Sequence, residues 1–593
     1  MVPRNRGVAF SLVGEWRRLL SGVVLSVFGV LPLSAEAITG IDTQQIQELA
    51  AAPEWHALLH IDASGTSAID DPSFFLAENP GDPEKEIVAL LQQYSQATVE
   101  RFPARYLFLA EQLDLEIPFT ESDRLATFQR TLNPASISVL FASAYLGSPM
   151  SYFGHTLIKF NKAENPFFSQ VFGFAAELPD TISTPSLIVN GLTGNLPGRY
   201  SFGPFFLVAD RYLRTEQRYL IEYELNLTAY QRRLLAYHAW ELMHTSFSYH
   251  FLTQNCTSEL MPLLSVVLAS TSFQERVFGL VTPYDLIAAI EQIDGVSDPT
   301  YHYPSVDRIQ YVHAHLSPAE RRAYHEVLRG SSKTTLLDEI DDSDIRETVA
   351  YLLSSGTDLR FRRFGIKDGE YRAIDHLVYP QPTVAGIPPY TPITRPMKIS
   401  SGVLHAAAST RQTIGFRPFY FNRREDRPNR LADATLEFLS GTVSTDYTDL
   451  TLEELTFLRI ESFPRCYSYF PMPSWRLATG FEKRTAAKDL NYTGEFGAGI
   501  SLGGSVFSLY GLPNIVYLVD RTSIGIEALF GTGLWLKQLH LGYDAKLPLW
   551  FTHEPTEESH ELYAHLNLTD RLSVSGSFSI LDCVSAVAIG VRL

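Results

Sequence analysis

From about residue 400 onward, apolar side chains recur at every second position. Phe496, Ala498, Ile500 and Leu502 alternate with Gly497, Gly499, Ser501 and Gly503. Leu562, Ala564, Leu566 and Leu568 alternate with Tyr563, His565, Asn567 and Thr569. Leu572, Val574, Phe578 and Ile580, then Val587, Ile589, Val591 and Leu593, keep the same rhythm. A period of two sorts side chains onto opposite faces of a strand. One face here is apolar and the other small or polar, the dyad pattern of a transmembrane β-barrel with a polar lumen. A soluble β-sandwich gives the same alternation with the apolar face turned inward. The Ser and Gly of the polar set, strands recurring to the last residue and an export-type N-terminus favour the barrel. Roughly 8 to 14 strands are expected, with about 12 the working number for an even-stranded wall.

The first residues read as a targeting segment. Arg4, Arg6, Arg17 and Arg18 form a basic region, Leu19 to Leu33 is apolar, and Ala35-Glu-Ala37 supplies small residues for cleavage. The alternative is an uncleaved anchor. No other run is long enough for a spanning helix. Net charge is −18, and without residues 1–37, which hold four Arg and two Glu, it is about −20. Such a chain lacks the basic surface that nucleic-acid binding needs, so no nucleic-acid partner is expected. Export implies an oxidising compartment. Of three cysteines, Cys466 and Cys583 lie in the C-terminal third and are free to pair there, which leaves Cys256 as the odd thiol.

Between these ends the chain reads as α+β. Residues 38–135 are helical, with apolar residues at helical spacing punctuated by Pro53, Asp82-Pro83 and Phe102-Pro103. Residues 136–290 mix both types. Strands are expected at 136–145, 155–160 and 169–174, and a Gly-rich turn region at 191–203. Thr228-Ala-Tyr-Gln231 is a capping box opening a helix to about His244. Residues 291–379 are helical again, with a second capping box at Ser317-Pro-Ala-Glu320. Prolines from 380 to 396 mark a stiff linker at 380–399, and the barrel occupies 400–593.

Two residues suggest chemistry. Cys256 follows Asn255 and starts an apolar helical run. A thiol at a helix N-terminus sits in the positive end of the dipole, which favours thiolate. His155 opens the second strand. A His held against such a thiol makes an activated nucleophile, and first-turn N–H groups are available to an oxyanion. Spacing alone does not bring the two together, and a lone Cys or His is more often structural. His238, His244 and His250 are six apart and do not share a helical face, so no zinc template appears. No cofactor or metal is expected.

Ser148-Pro-Met-Ser-Tyr-Phe-Gly-His-Thr156 and Tyr249-His-Phe-Leu-Thr-Gln-Asn-Cys256 resemble the two signature blocks of the Lnb-type N-terminal periplasmic domain family. Leu196-Pro-Gly-Arg-Tyr200, the segment Arg218 to Thr228, Asp71-Pro-Ser-Phe-Phe-Leu76 and Phe102-Pro-Ala-Arg105 are also similar, so the likeness covers roughly residues 50–280. The resemblance implies a circularly permuted papain-like domain of the NlpC-type superfamily at residues 136–290, with Cys256 as nucleophile and His155 as base. It implies acyl transfer from a phospholipid, through a Cys thioester, to the amine of a lipid-modified cysteine. Ser169 and Gln170 are the nearest polar candidates for a third, orienting residue, just before Val171-Phe-Gly173, where relatives often carry Asn.

Three functions therefore compete. One is a cysteine acyl-transfer enzyme at the periplasmic face of the outer membrane, with outer-membrane lipid, phospholipid and lipoproteins as partners. A second is a cell-wall or protein peptidase or amidase using the same Cys–His pair. A third is a non-catalytic barrel with a binding domain.

Overall fold

The computed structural model describes residues 41–592 apart from 63, 115–121, 146–150, 152, 180, 269–280, 294–295, 331–332, 365–394, 407–408, 426–431, 465–472, 484–489, 504–505, 520–522 and 554–557. The targeting segment, most of the proline-rich linker and Cys466 lie outside the described residues.

Helices come first. Thr43–Ala50, Pro53–Leu58, Pro83–Gln92, Gln96–Arg101, Pro103–Leu113 and Asp123–Leu132 form the N-terminal region. Pro53, Pro83 and Pro103 each open a helix, where an N–H would have no intrahelical partner. Arg105 is wholly buried here, with Nη1 2.6 Å from Glu86 and its guanidinium over the rings of Phe74 and Phe102. Glu241, from the helix Ala229–Leu242, accepts the backbone N–H groups of Ala104 and Arg105. These charge-assisted bonds lock the helical region onto the sheet domain that follows.

That domain is a seven-stranded antiparallel sheet. Its strands are β1 (Ser136–Ala142), β2 (His155–Asn161), β3 (Gln170–Ala176), β4 (Leu196–Pro204), β5 (Leu220–Leu225), β6 (Phe247–Tyr249) and β7 (Thr300–His302), in the order β6-β4-β3-β2-β1-β5-β7. The first three and the helix after Thr228 lie where the periodicity puts them. The Gly-rich stretch does not: 196–204 is strand β4, paired to β3. A Cβ at Gly198 would fall 2.4 Å from the Phe174 ring, so the glycine admits a neighbouring aromatic rather than a turn. Among the described residues, four further helices follow between Ser305 and Phe364.

The C-terminal part is a closed antiparallel barrel. Its strands are β8 (Lys398–Ala406), β9 (Ser409–Arg417), β10 (Phe419–Phe421), β11 (Ala432–Thr445), β12 (Leu450–Pro464), β13 (Ser474–Glu482), β14 (Asn491–Gly503), β15 (Phe507–Leu518), β16 (Ser523–Leu536), β17 (Leu539–Phe551), β18 (Ser559–Asn567), β19 (Leu572–Ser579) and β20 (Val584–Arg592). Each pairs with the next from β11 to β20; β20 pairs with β8, β8 with β9, and β9 with β11. Short β10 continues β9 past Pro418 and also pairs with β11, so the wall has twelve strands. The apolar set of each alternating run faces outward: Phe496, Ile500, Leu562, Phe578, Val587 and Ile589 are all exposed. No helix among the described residues is long and apolar enough to cross a membrane.

The lumen is more highly charged than Ser and Gly alone imply. Arg423 and Arg424, after β10, point into it. Arg423 lies 2.7 Å from Asp544 and 3.1 Å from Glu461, and Arg424 lies 2.8 Å from Glu561. Arg459 pairs with Glu437, and Arg476 with Glu461 and Glu495. The pairing matters because an unpartnered charge in such a setting is strongly destabilising.

Glu222 on β5 ties β7 and β2 to the sheet, accepting from Lys159 Nζ at 2.9 Å and lying 2.9 Å from His302 Nε2. Burial raises its pKa, but the His302 hydrogen bond and the Lys159 ammonium outweigh it and hold the carboxyl at about 2. A depressed folded-state pKa gives stability that is present above the ordinary value of 4.5 and is lost as pH falls toward 2. That amounts to about 3 kcal/mol at neutral pH. The wild-type domain should therefore unfold at progressively lower temperature as pH falls across that window. Glu222→Gln should unfold earlier at neutral pH and show a flatter acid response; an equal acid slope in both proteins would contradict this role.

Candidate active site

Cys256 is the first residue of the helix Cys256–Ser265, and Asn255 is its cap. The Asn255 carboxamide oxygen accepts from Thr257 N at 2.9 Å and Ser258 N at 3.2 Å. Its amide nitrogen donates to the carbonyls of Phe251 and Val281. Every polar atom of that side chain is thus engaged, which fixes the helix start and the sulfur with it. The cap also uses first-turn amides expected to serve an oxyanion. Thr257 and Ser258 give theirs to Asn255 Oδ1, and Glu259 gives its own to the Asn255 carbonyl.

His155 begins β2, and Gly154 puts it there. Gly154 has φ +102°, and a Cβ on it would fall 2.6 Å from the Ala142 carbonyl oxygen. Only glycine satisfies both conditions. Arg218 braces the neighbouring strand end by donating to the carbonyls of Ser143 and Ala142, and Ala142 is the register partner of His155.

The fold brings the two together. Burial pushes the Cys256 thiol up, but the charge and hydrogen bond of His155, helped by the Thr156 backbone N–H and the Thr257 hydroxyl, lower it to about 7. A thiol in that range is partly ionised at neutral pH and is an effective nucleophile. The Thr257 hydroxyl lies 3.8 Å from Sγ, and Thr156 and Thr257 hydroxyls lie 3.2 Å apart.

Ser169 and Gln170 are not beside this pair. Ile158 is opposite Phe172, so Gln170 is opposite Phe160, five residues along β2 from His155. That is roughly 16 Å of strand. Ser169 Oγ instead accepts the Lys162 N–H. Two tyrosines that spacing did not reveal stand nearer. The Tyr212 ring centroid is 6.4 Å from that of His155. Burial raises the phenol pKa of Tyr212 and of Tyr249, and the negative charge of Cys256 acts in the same direction. Tyr249 already stands in the block ending at Cys256; Tyr212, more than forty residues away, carries no local signal. The three spaced histidines do other work. His238 is buried between His60 and Glu241, His244 donates to Trp240 O, and His250 accepts the N–H of Leu252. Cys583 is exposed and has no disulfide among the described residues.

Cys256 is only 3% exposed, yet it lines a small apolar cavity of about 100 Å³. Leu192, Tyr249, Phe251, Leu252 and Val281 form the domain side. Phe419, Leu436, Phe438 and Leu458 of the barrel form the other. Phe153, two residues before His155, packs on the same strands, its ring 5.4 Å from Phe419 and 6.2 Å from Phe421.

Fold and site together define a barrel-anchored membrane protein with a Cys–His domain docked on its wall. Residues 124–292 match the family model of the Lnb N-terminal periplasmic domain. Residues 47–112 and 395–580 match two domains of unknown function, DUF7843 and DUF7840. The chain is thus an outer-membrane protein whose N-terminal domain faces the periplasm. No curated protein matches it. Among solved structures, a mutant Rh. blastica porin is similar at 8% identity over 34% of this chain and 100% of its own, with TM-score 0.16. A loop-deleted OmpT, an outer membrane protein of Vibrio cholerae, is similar at 8% identity over 33% and 96%, with TM-score 0.15. The barrel assignment rests on the closed strand pairing itself.

Alkylation of Cys256 by iodoacetamide, followed on its own peptide by mass spectrometry, should rise with a midpoint near pH 7. In His155→Ala, burial acts unopposed by the imidazole, and the midpoint should move up toward or beyond the ordinary 9. An unmoved midpoint would separate the two residues.

Proposed function

We propose that this protein is a cysteine-dependent acyl-transfer enzyme of the outer membrane, working on its periplasmic side with a phospholipid as acyl donor. The observation that carries the reading is a sulfur close enough to His155 for the imidazole to lower its pKa, lining an apolar cavity.

His155 takes the thiol proton, and the Cys256 thiolate attacks the ester carbonyl of the donor. A C–S bond forms and the ester C–O bond breaks. The lysophospholipid leaves as an alcohol, protonated by His155, and the acyl chain stays as a thioester. A neutral amine then attacks the thioester carbonyl; the C–S bond breaks, an amide forms, and the amine's proton returns through His155 to the sulfur. The family resemblance points to the α-amine of a lipid-modified cysteine on a lipoprotein as that acceptor. The Cys256 amide N–H and the Tyr249 hydroxyl are the donors to test for the oxyanion.

The lining favours this reading over a peptidase. A peptide-cleaving site needs polar groups for an extended backbone, whereas the side chains around Cys256 are predominantly aliphatic and aromatic. A purely binding role gives no reason for a lowered thiol pKa.

Incubation of purified protein with phospholipid vesicles should add one acyl-chain mass to the Cys256 peptide. Cys256→Ser should lose that adduct and keep its fold, and His155→Ala should slow its formation by about 10²–10⁴-fold, the usual weight of a general base. An adduct that persists in Cys256→Ser would remove Cys256 from the mechanism.

A further inference from the structure

We infer that the outer wall of the barrel is one side of the acyl-chain site, so that the donor reaches Cys256 sideways from the bilayer and not from the aqueous periplasm. This rests on the acyl-transfer reading and adds to it the source of the lipid and the residues that select it.

On β11 and β12, Thr435, Glu437, Arg459 and Glu461 turn into the lumen, where Arg459 meets Glu437. Leu436, Phe438, Leu458 and Ile460 therefore turn outward, toward the side that lipid occupies elsewhere on the wall. Their exposure changes along the strands. Leu436 and Ile460, toward the domain-facing ends, are each 1% exposed, covered by the Phe153 cluster. Phe438 and Leu458, one step farther and directly opposite each other, line the cavity that Cys256 also lines. Leu439 follows at a break in the pairing, with φ +50°, and is 48% exposed. An apolar track thus runs from open wall into the cavity and ends at the sulfur.

The domain continues the track on its own side. Leu192 lines the cavity from the helix Thr184–Thr193, and Val189, one turn earlier on the same face, is 59% exposed. An exposed valine beside an apolar opening suits a helix lying against lipid tails. The occupant is accordingly the hydrocarbon chain of a membrane phospholipid, its ester near Cys256 and its tail between Phe251 and Phe438.

The test uses the full-length protein and two donors with the same headgroup. One is a long-chain phospholipid in vesicles, and the other a short-chain phospholipid below its micelle concentration. Formation of the Cys256 adduct is measured for each. Wild type should prefer the long-chain donor. Phe438→Asp puts a charge on the track and Phe438→Trp narrows it; either should cut the long-to-short preference about tenfold, the weight of one or two buried methylenes. Phe438→Trp keeps the test decisive if the charged variant does not fold. A folded Phe438→Trp protein with an unchanged preference would overturn the lateral route while leaving acyl transfer standing. No adduct in wild type from either donor would instead remove acyl transfer, and the route with it.

Discussion

Everything in this structure that bears on chemistry depends on where β2 begins. Three consecutive residues there do three different things. Phe153 packs on the outward face of the barrel, Gly154 turns the chain at a φ closed to other residues, and His155 meets Cys256. A one-residue slip would send His155 to the other face of the sheet and take Phe153 off the wall together. The placing of His155 against Cys256 and docking to the membrane anchor are therefore one constraint. A side chain larger than hydrogen at position 154 would disturb both, because the Ala142 carbonyl occupies the space.

The barrel reverses the usual arrangement of a soluble core. Outside, aliphatic and aromatic residues face lipid at no desolvation cost. Inside, arginines, lysines and carboxylates pair across the lumen, so that charges taken from bulk water are matched. Arg423 and Arg424 stand on the segment just after β10, the strand under Phe153. Lumen pairing and domain docking thus hold opposite faces of the same short stretch.

Much of the fold was legible because it follows from periodicity. The alternation after residue 400 gave strands, faces and closure, since the side-chain period of a strand is two whatever its length. Thr228 with Gln231 and Ser317 with Glu320 marked helix starts through the reciprocal hydrogen bonds they make. What was not legible depends on tertiary approach. Gly198 reads as a turn residue until Phe174 is seen beside it. Ser169 looks close to the site in sequence, but antiparallel register carries it to the far end of β2 from His155. Tyr212 reaches His155 from a distant segment, and Phe438 and Leu458 reach the cavity from another domain. His155 and Cys256 were legible as residue types with their flanking blocks; their contact, about a hundred residues apart, required the fold.

The central claim is that Cys256 carries an acyl chain as a thioester, with His155 at hand and lipid beside it. The most direct measurement is the mass of the Cys256 peptide from protein isolated out of its own membrane, before and after neutral hydroxylamine, which cleaves thioesters and spares amides. The account predicts an acyl-chain mass on that peptide which hydroxylamine removes, and which builds up when acceptor is withheld. An unmodified Cys256 peptide under acceptor starvation, in protein that still alkylates with a midpoint near pH 7, would contradict it.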